Sequence, residues 1–122
     1  MYRVLVADDE IEFRKWLRSL LDHSEEFAVV GEAGSGMEAV LLIQSLLPDL
    51  IIADMYMPEQ DGLELARYVQ HNYPQIRAIV TSAYEERVYS RMAKVEGALA
   101  FIPKSKLSLA TLRQALQEEE RP

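Results

Sequence analysis

Five apolar runs of strand length, Val4–Ala7, Phe27–Val30, Leu50–Ala53, Ala78–Thr81 and Leu99–Ile102, recur along the chain with a helix-spaced segment after each. That alternation constrains the fold more than any other feature. Several runs are continuously apolar, as in strands covered on both faces. The intervening segments place apolar residues three and four apart: Phe13, Leu17, Leu20 and Leu21; then Ala39, Leu42, Ile43 and Leu46; then Leu63, Ala66 and Val69. A weaker helix is expected from about Glu85 to Lys94, and a last one from Leu109 through Leu116 with Ser108 as its N-cap. Crossover helices make neighbouring strands parallel, so the expectation is an α/β three-layer sandwich, a five-stranded parallel sheet flanked by five helices. Gly34, Ser35, Gly36, Pro48, Gly62 and Pro74 fall at the expected junctions.

A length of 122 residues suits one core, read as a domain over residues 1–118 with residues 119–122 as a tail or the start of a linker. Without cysteine there is neither a disulfide nor a thiolate metal site, which suits a reducing, cytoplasmic compartment. Met1–Ala7 meets Asp8 and Asp9 at once, too short and acidic a start for a signal peptide, and no apolar run is long enough to span a bilayer. A net charge of −7 argues against direct nucleic-acid binding by this domain.

In an open parallel sheet the C-terminal strand ends share one edge, where ligands sit. Asp8 and Asp9 follow the first run, Asp54 the third, Ser82 the fourth and Lys104 the fifth. Three carboxylates at one edge repel unless a cation joins them. Oxygen ligands without cysteine or clustered histidine favour Mg2+, and Lys104 adds a second positive charge. With both in place, Asp54 is a candidate nucleophile toward phosphorus, giving an acyl phosphate, and Ser82 can donate to a phosphoryl oxygen. Taken singly these residues have plainer uses. Asp8 or Asp9 could N-cap the first helix, Asp54 and Lys104 could pair structurally, and Ser82 could be a turn hydroxyl.

These motifs, in order, resemble the response regulator receiver family over essentially the whole chain. Val4-Leu5-Val6-Ala7-Asp8-Asp9-Glu10 resembles the family's first strand and acidic pair, and Pro48 to Pro58, centred on Asp54, resembles its phosphorylation loop. Asp61-Gly62, Ser82-Ala83, Gly97-Ala98 and Phe101-Ile102-Pro103-Lys104 continue the match. The resemblance implies a flavodoxin-like strand order of 2-1-3-4-5. It implies that Asp54 accepts a phosphoryl group from a sensor histidine kinase or a small donor. Asp9, Asp54 and the Tyr56 carbonyl would ligate Mg2+, with Asp8 acting through metal-bound water. It further implies that Lys104 pairs with the phosphoryl group and that Ser82 closes onto it. Phe101 would then turn inward and reshape the face made by the fourth helix, fifth strand and fifth helix. Tyr56 and Tyr84 occupy positions that tune self-dephosphorylation. Such a domain catalyses only its own phosphorylation and dephosphorylation, and two copies can pair once phosphorylated. Serine follows Lys104 where proline is frequent, and a cis bond before serine costs about 3 kcal/mol. The Phe-Ile-Pro-Lys-Ser stretch is similar to receivers attached to helix-turn-helix domains, so a DNA-binding output domain controlling transcription is expected beyond Pro122.

Three other readings compete: a phosphohydrolase, a non-phosphorylated interaction module and a nucleotide-binding module. A haloacid-dehalogenase-type phosphohydrolase needs a second aspartate two positions after its nucleophile, where this chain has Tyr56, and a non-phosphorylated interaction module would not need the full acidic and lysine set. Gly31, Gly34 and Gly36 read as a turn, since their spacing is not that of a nucleotide loop. His23 and His71 read as residues near helix ends, and Trp16 and the methionines as packing. Tyr84, Tyr89, Arg87, Arg91 and Lys94 suit either a partner face or a solvated one.

Overall fold

The computed structural model describes residues 1–120. Its elements alternate throughout: β1 (Tyr2–Ala7), α1 (Ile11–Asp22), β2 (Phe27–Ala33), α2 (Gly36–Leu46), β3 (Leu50–Asp54), α3 (Gly62–Asn72), β4 (Arg77–Ser82), α4 (Arg87–Val95), β5 (Ala100–Pro103) and α5 (Leu109–Glu120). All strand pairs are parallel and the sheet order is β2-β1-β3-β4-β5, the order that the resemblance implies. The central strand β3 is buried at every position, which explains its unbroken apolar run. Edge strand β2 is only partly buried through its middle.

Successive residues of a strand point to opposite faces, and here they feed two separate cores. Leu5, Ala7, Ile51, Ala53 and Val80 pack with residues of α2 and α3, whereas Val4, Val6, Ile52, Ile79 and Ile102 pack with Leu17 and Leu21 of α1 and Leu112 and Leu116 of α5. Fully burying one such Leu or Ile contributes about 1.5–3 kcal/mol. Truncating Ile52, 1% exposed at the sheet centre, to alanine costs about 2–5 kcal/mol.

Local chemistry sets the element ends. Asp61 and Glu64 form a reciprocal capping box at the start of α3, and the Ser108 hydroxyl accepts from Thr111 N–H at 3.0 Å, as expected of a cap for α5. Gly62 is required by close approach, since a Cβ there would lie 2.4 Å from the Asp54 carbonyl oxygen. Glycine thus lets α3 start directly against the end of β3.

Some boundaries differ from those read in the sequence. Gly31 lies inside β2 beside a register shift between Val4 and Leu5, and Gly36 is the first residue of α2, so only Gly34 of the three lies in the connection. The weak fourth helix starts at Arg87, after a Glu86 that provides no side-chain cap. Helix α5 runs to Glu120, two residues past the expected end of the domain at residue 118, and residues 121–122 lie outside the described residues. Trp16 is 46% exposed against Phe13 and so is not core, and of the methionines Met55 is buried while Met37 and Met92 are exposed. His23 closes α1, its Nδ1 2.6 Å from the Ser19 carbonyl oxygen. Among the described residues no peptide bond is cis, so Lys104–Ser105 is trans and opens a single 3-10 turn over Lys104–Lys106. No helix among them is long and apolar enough to cross a membrane.

Candidate functional site

Asp8 and Asp54 sit at strand exits in the rows that face α1 and α5, following Val6 and Ile52, and Lys104 follows Ile102 in the same row of β5. Lys104 reaches both aspartates. Its Nζ lies 2.8 Å from Asp8 Oδ2, 2.9 Å from Glu10 Oε1 and 3.6 Å from Asp54 Oδ2, and 4.2 Å from the centre of the Phe13 ring. A lysine between a carboxylate cluster and an aromatic face gains from both. Asp8 is fully buried, Asp54 is 6% exposed and Ser82 fully buried.

Backbone contacts orient the carboxylates. Glu10 N–H donates to Asp8 Oδ1 at 2.8 Å, Arg14 Nη1 donates to the Asp8 carbonyl at 2.6 Å, and Tyr56 N–H reaches Asp54 Oδ1 at 3.4 Å. Neither Asp8 nor Asp9 caps α1, whose N-cap is Glu10 without a side-chain hydrogen bond. Asp8 Oδ2 is buried and faces the Lys104 ammonium at 2.8 Å, its one charged partner among the described residues.

One cation does not balance so many buried acids. Burial, then the neighbouring Asp8 charge, push the Asp54 carboxyl up to about 6, against the pull of Lys104 and Tyr56 N–H. Burial likewise raises Asp8, with Lys104 and the Glu10 N–H opposing it. For Lys104 burial works against the charged form, but Asp8, Glu10 and Asp54 outweigh it and the ammonium is held above its ordinary value.

A cleft of about 390 Å³ opens onto this cluster, lined by Asp9, Glu10, Asp54, Tyr56, Ser82, Ala83, Tyr84 and Lys104. Asp9 is exposed on its wall, and Glu10 completes the compact group: ligand oxygens of Asp8, Glu10 and Asp54 all lie within 4.8 Å of one another. The sequence points to Asp9, whereas Glu10 carries no signal there beyond following the acidic pair. The Ser82 hydroxyl accepts from Tyr84 N–H at 3.1 Å. Phe101 lies in the opposite row of β5 and packs on the core beneath α2, α3 and α4, its ring edge-on to Tyr89 at 5.5 Å. Tyr56 and Tyr84 are 52% and 66% exposed. The sequence does not disclose the contact of Tyr89, whose hydroxyl is 2.6 Å from that of Tyr56.

The response regulator receiver domain model matches residues 4–117. The chain belongs to that family. This receiver domain is 33% identical over 118 residues to a protein-glutamate methylesterase/protein-glutamine glutaminase of Pyrococcus abyssi, spanning 96% of this chain but 32% of that protein. It is 34% identical over 88 residues to the transcriptional regulatory protein YdfI of Bacillus subtilis, spanning 72% of this chain and 41% of that one. The chain therefore spans about a third to two fifths of the length of these relatives. Among solved structures, it superposes on the signal receiver domain of the response regulator NarL from Mycobacterium tuberculosis with a TM-score of 0.85 and 34% identity, covering 94% of this chain and 96% of that one.

Proposed function

We propose that this receiver domain takes a phosphoryl group onto Asp54 and relays its presence to an output. The convergence of Asp8, Asp54 and Lys104 at one sheet edge carries the reading, because a buried nucleophilic carboxylate stands there beside a cation that can neutralise an incoming phosphoryl group. An Asp54 oxygen bonds to phosphorus while the bond from phosphorus to a kinase's histidine nitrogen breaks and the imidazole leaves. Lys104 pairs with the phosphoryl oxygens, and the buried Ser82 hydroxyl, at the end of β4, donates to one of them. Closure of Ser82 gives Phe101 room to turn inward and alter the surface of α4, β5 and α5. The chain acts on itself alone, with a sensor histidine kinase as donor and a phosphorylation-dependent pair of copies as one product.

The donor set fits Mg2+, since oxygens of Asp8, Glu10 and Asp54 gather within 4.8 Å of one another, and burial drives the carboxyls of Asp8 and Asp54 toward protonation despite the Lys104 ammonium. Asp9, Asp54 and the Tyr56 carbonyl would hold the ion, with Asp8 acting through its water and Glu10 at the rim. Bound there, Mg2+ supplies charge neutralisation for the phosphoryl oxygens and keeps Asp54 ionised.

The proposed output is transcription through a DNA-binding domain, supported by similarity to the transcriptional regulatory protein YdfI. Control of a methylesterase is the second reading, favoured by the match to the Pyrococcus protein over 96% of this chain. The test of the acceptor is intact mass after treatment with acetyl phosphate and Mg2+. Wild type gains one phosphoryl group and Asp54→Asn gains none, and equal labelling of both would remove Asp54 from the role.

A further inference from the structure

Tyr89 lies in the first turn of α4, outside the lining of the cleft. Its hydroxyl is nevertheless 2.6 Å from that of Tyr56, and its ring meets Tyr56 edge-on at 6.2 Å and 72°. On its other side it meets Phe101 of β5 edge-on at 5.5 Å and 70°. Tyr56 is two residues beyond Asp54, donates its N–H toward the Asp54 carboxylate and lines the cleft with its ring. A half-exposed ring on a loop has several rotamers open to it, and a hydrogen bond joined to an edge contact selects one.

We propose that Tyr89 is a positioning residue for the fate of phosphorylated Asp54: it fixes the ring of Tyr56 at the wall of the cleft, restricts the approach of water to phosphorus and so lengthens the life of the acyl phosphate. This rests on Asp54 being the phosphoryl acceptor. In the step it slows, a water oxygen bonds to phosphorus and the bond from phosphorus to the Asp54 oxygen breaks. The carboxylate departs with the electron pair, and both protons of the water end on the orthophosphate. Tyr89 touches none of the reacting atoms and acts only through Tyr56. Because the same ring also packs on Phe101, the lifetime of the signal and the switch surface share one side chain.

The test follows the decay of the phosphorylated chain by intact mass, after loading with acetyl phosphate and Mg2+ and removal of the donor. Tyr89→Phe keeps the ring and its contact with Phe101 but loses the hydroxyl, and its lifetime is expected to fall by about three- to tenfold, the scale of one lost hydrogen bond. Tyr56→Phe should fall by the same factor. The double variant should decay no faster than either single one, since all three lack the same bond, a saturation that general loosening of the loop would not produce. A labelled wild type with an unchanged Tyr89→Phe lifetime, or two effects that multiply, overturns the inference alone. A wild type that takes up no phosphoryl group overturns the acceptor reading and the inference with it.

Discussion

Two ion-paired regions of this receiver domain use similar groups and end in opposite electrostatic states. Between α3 and α4, Arg67 grips Glu96 through two bonds of 2.6 and 2.9 Å, and that pairing holds the Glu96 carboxyl below its ordinary value. At the sheet edge Lys104 grips Asp8 at 2.8 Å, yet burial holds Asp8 and Asp54 above theirs. The difference lies in solvent and in count. Arg67 and Glu96 are one cation and one anion in contact with water, whereas, among the described residues, Lys104 is the one cation paired with three grouped carboxylates, two of them buried. The first pair is complete, and the second region is short of positive charge. The proposed receipt of a cation and a phosphoryl group would use that imbalance, which lowers the stability of the metal-free domain.

Replacing Lys104 breaks the comparison most severely. In Lys104→Met, Asp8, Glu10 and Asp54 keep their places without a counter-charge, and urea unfolding at pH 7.5 should register a loss of about 3 kcal/mol without metal. An unchanged midpoint would mean that the cluster bears no stored repulsion. The next effect has the opposite sign. The Asp54 carboxyl sits at about 6 in the folded chain against 3.8 in the unfolded one, so the folded state binds the proton more tightly between these values. Stability therefore falls as pH rises from about 4 to 6 and stays at the lower level above. Asp54→Asn removes that penalty, and should stabilise the metal-free domain by about 3 kcal/mol at pH 7.5 and by about 0.5 kcal/mol at pH 4. A gain independent of pH would point to packing instead of charge. Glu96→Gln sharpens the contrast from the other side, with the smallest expected shift in unfolding midpoint, fading further in high salt.

Much of this arrangement is legible in the sequence, for identifiable reasons. Continuous apolar runs mark β1, β3 and β4 because both of their faces are covered, and a polar residue at the exit of such a run lies at the sheet edge wherever the helices go. Asp8, Asp54 and Ser82 are placed that way. Edge strand β2 carries a mixed pattern and a register shift, so its extension to Ala33 was not visible. Glu10 was passed over because a long side chain on a loop reaches Lys104 only through the tertiary fold, 94 residues away in the chain. The Tyr56–Tyr89 contact is hidden in the same way, since it depends on how α4 packs over β5. The resemblance supplied the strand order, which the run pattern alone leaves open.

The central claim is most directly tested by locating the phosphoryl group itself. The domain would be phosphorylated with acetyl phosphate and Mg2+, reduced with borohydride, which converts an aspartyl phosphate to homoserine, and mapped by tandem mass spectrometry. Homoserine at position 54 and nowhere else is the predicted result. Homoserine at position 8 or 9, or a phosphoryl group retained on another residue with aspartate intact at 54, would contradict it.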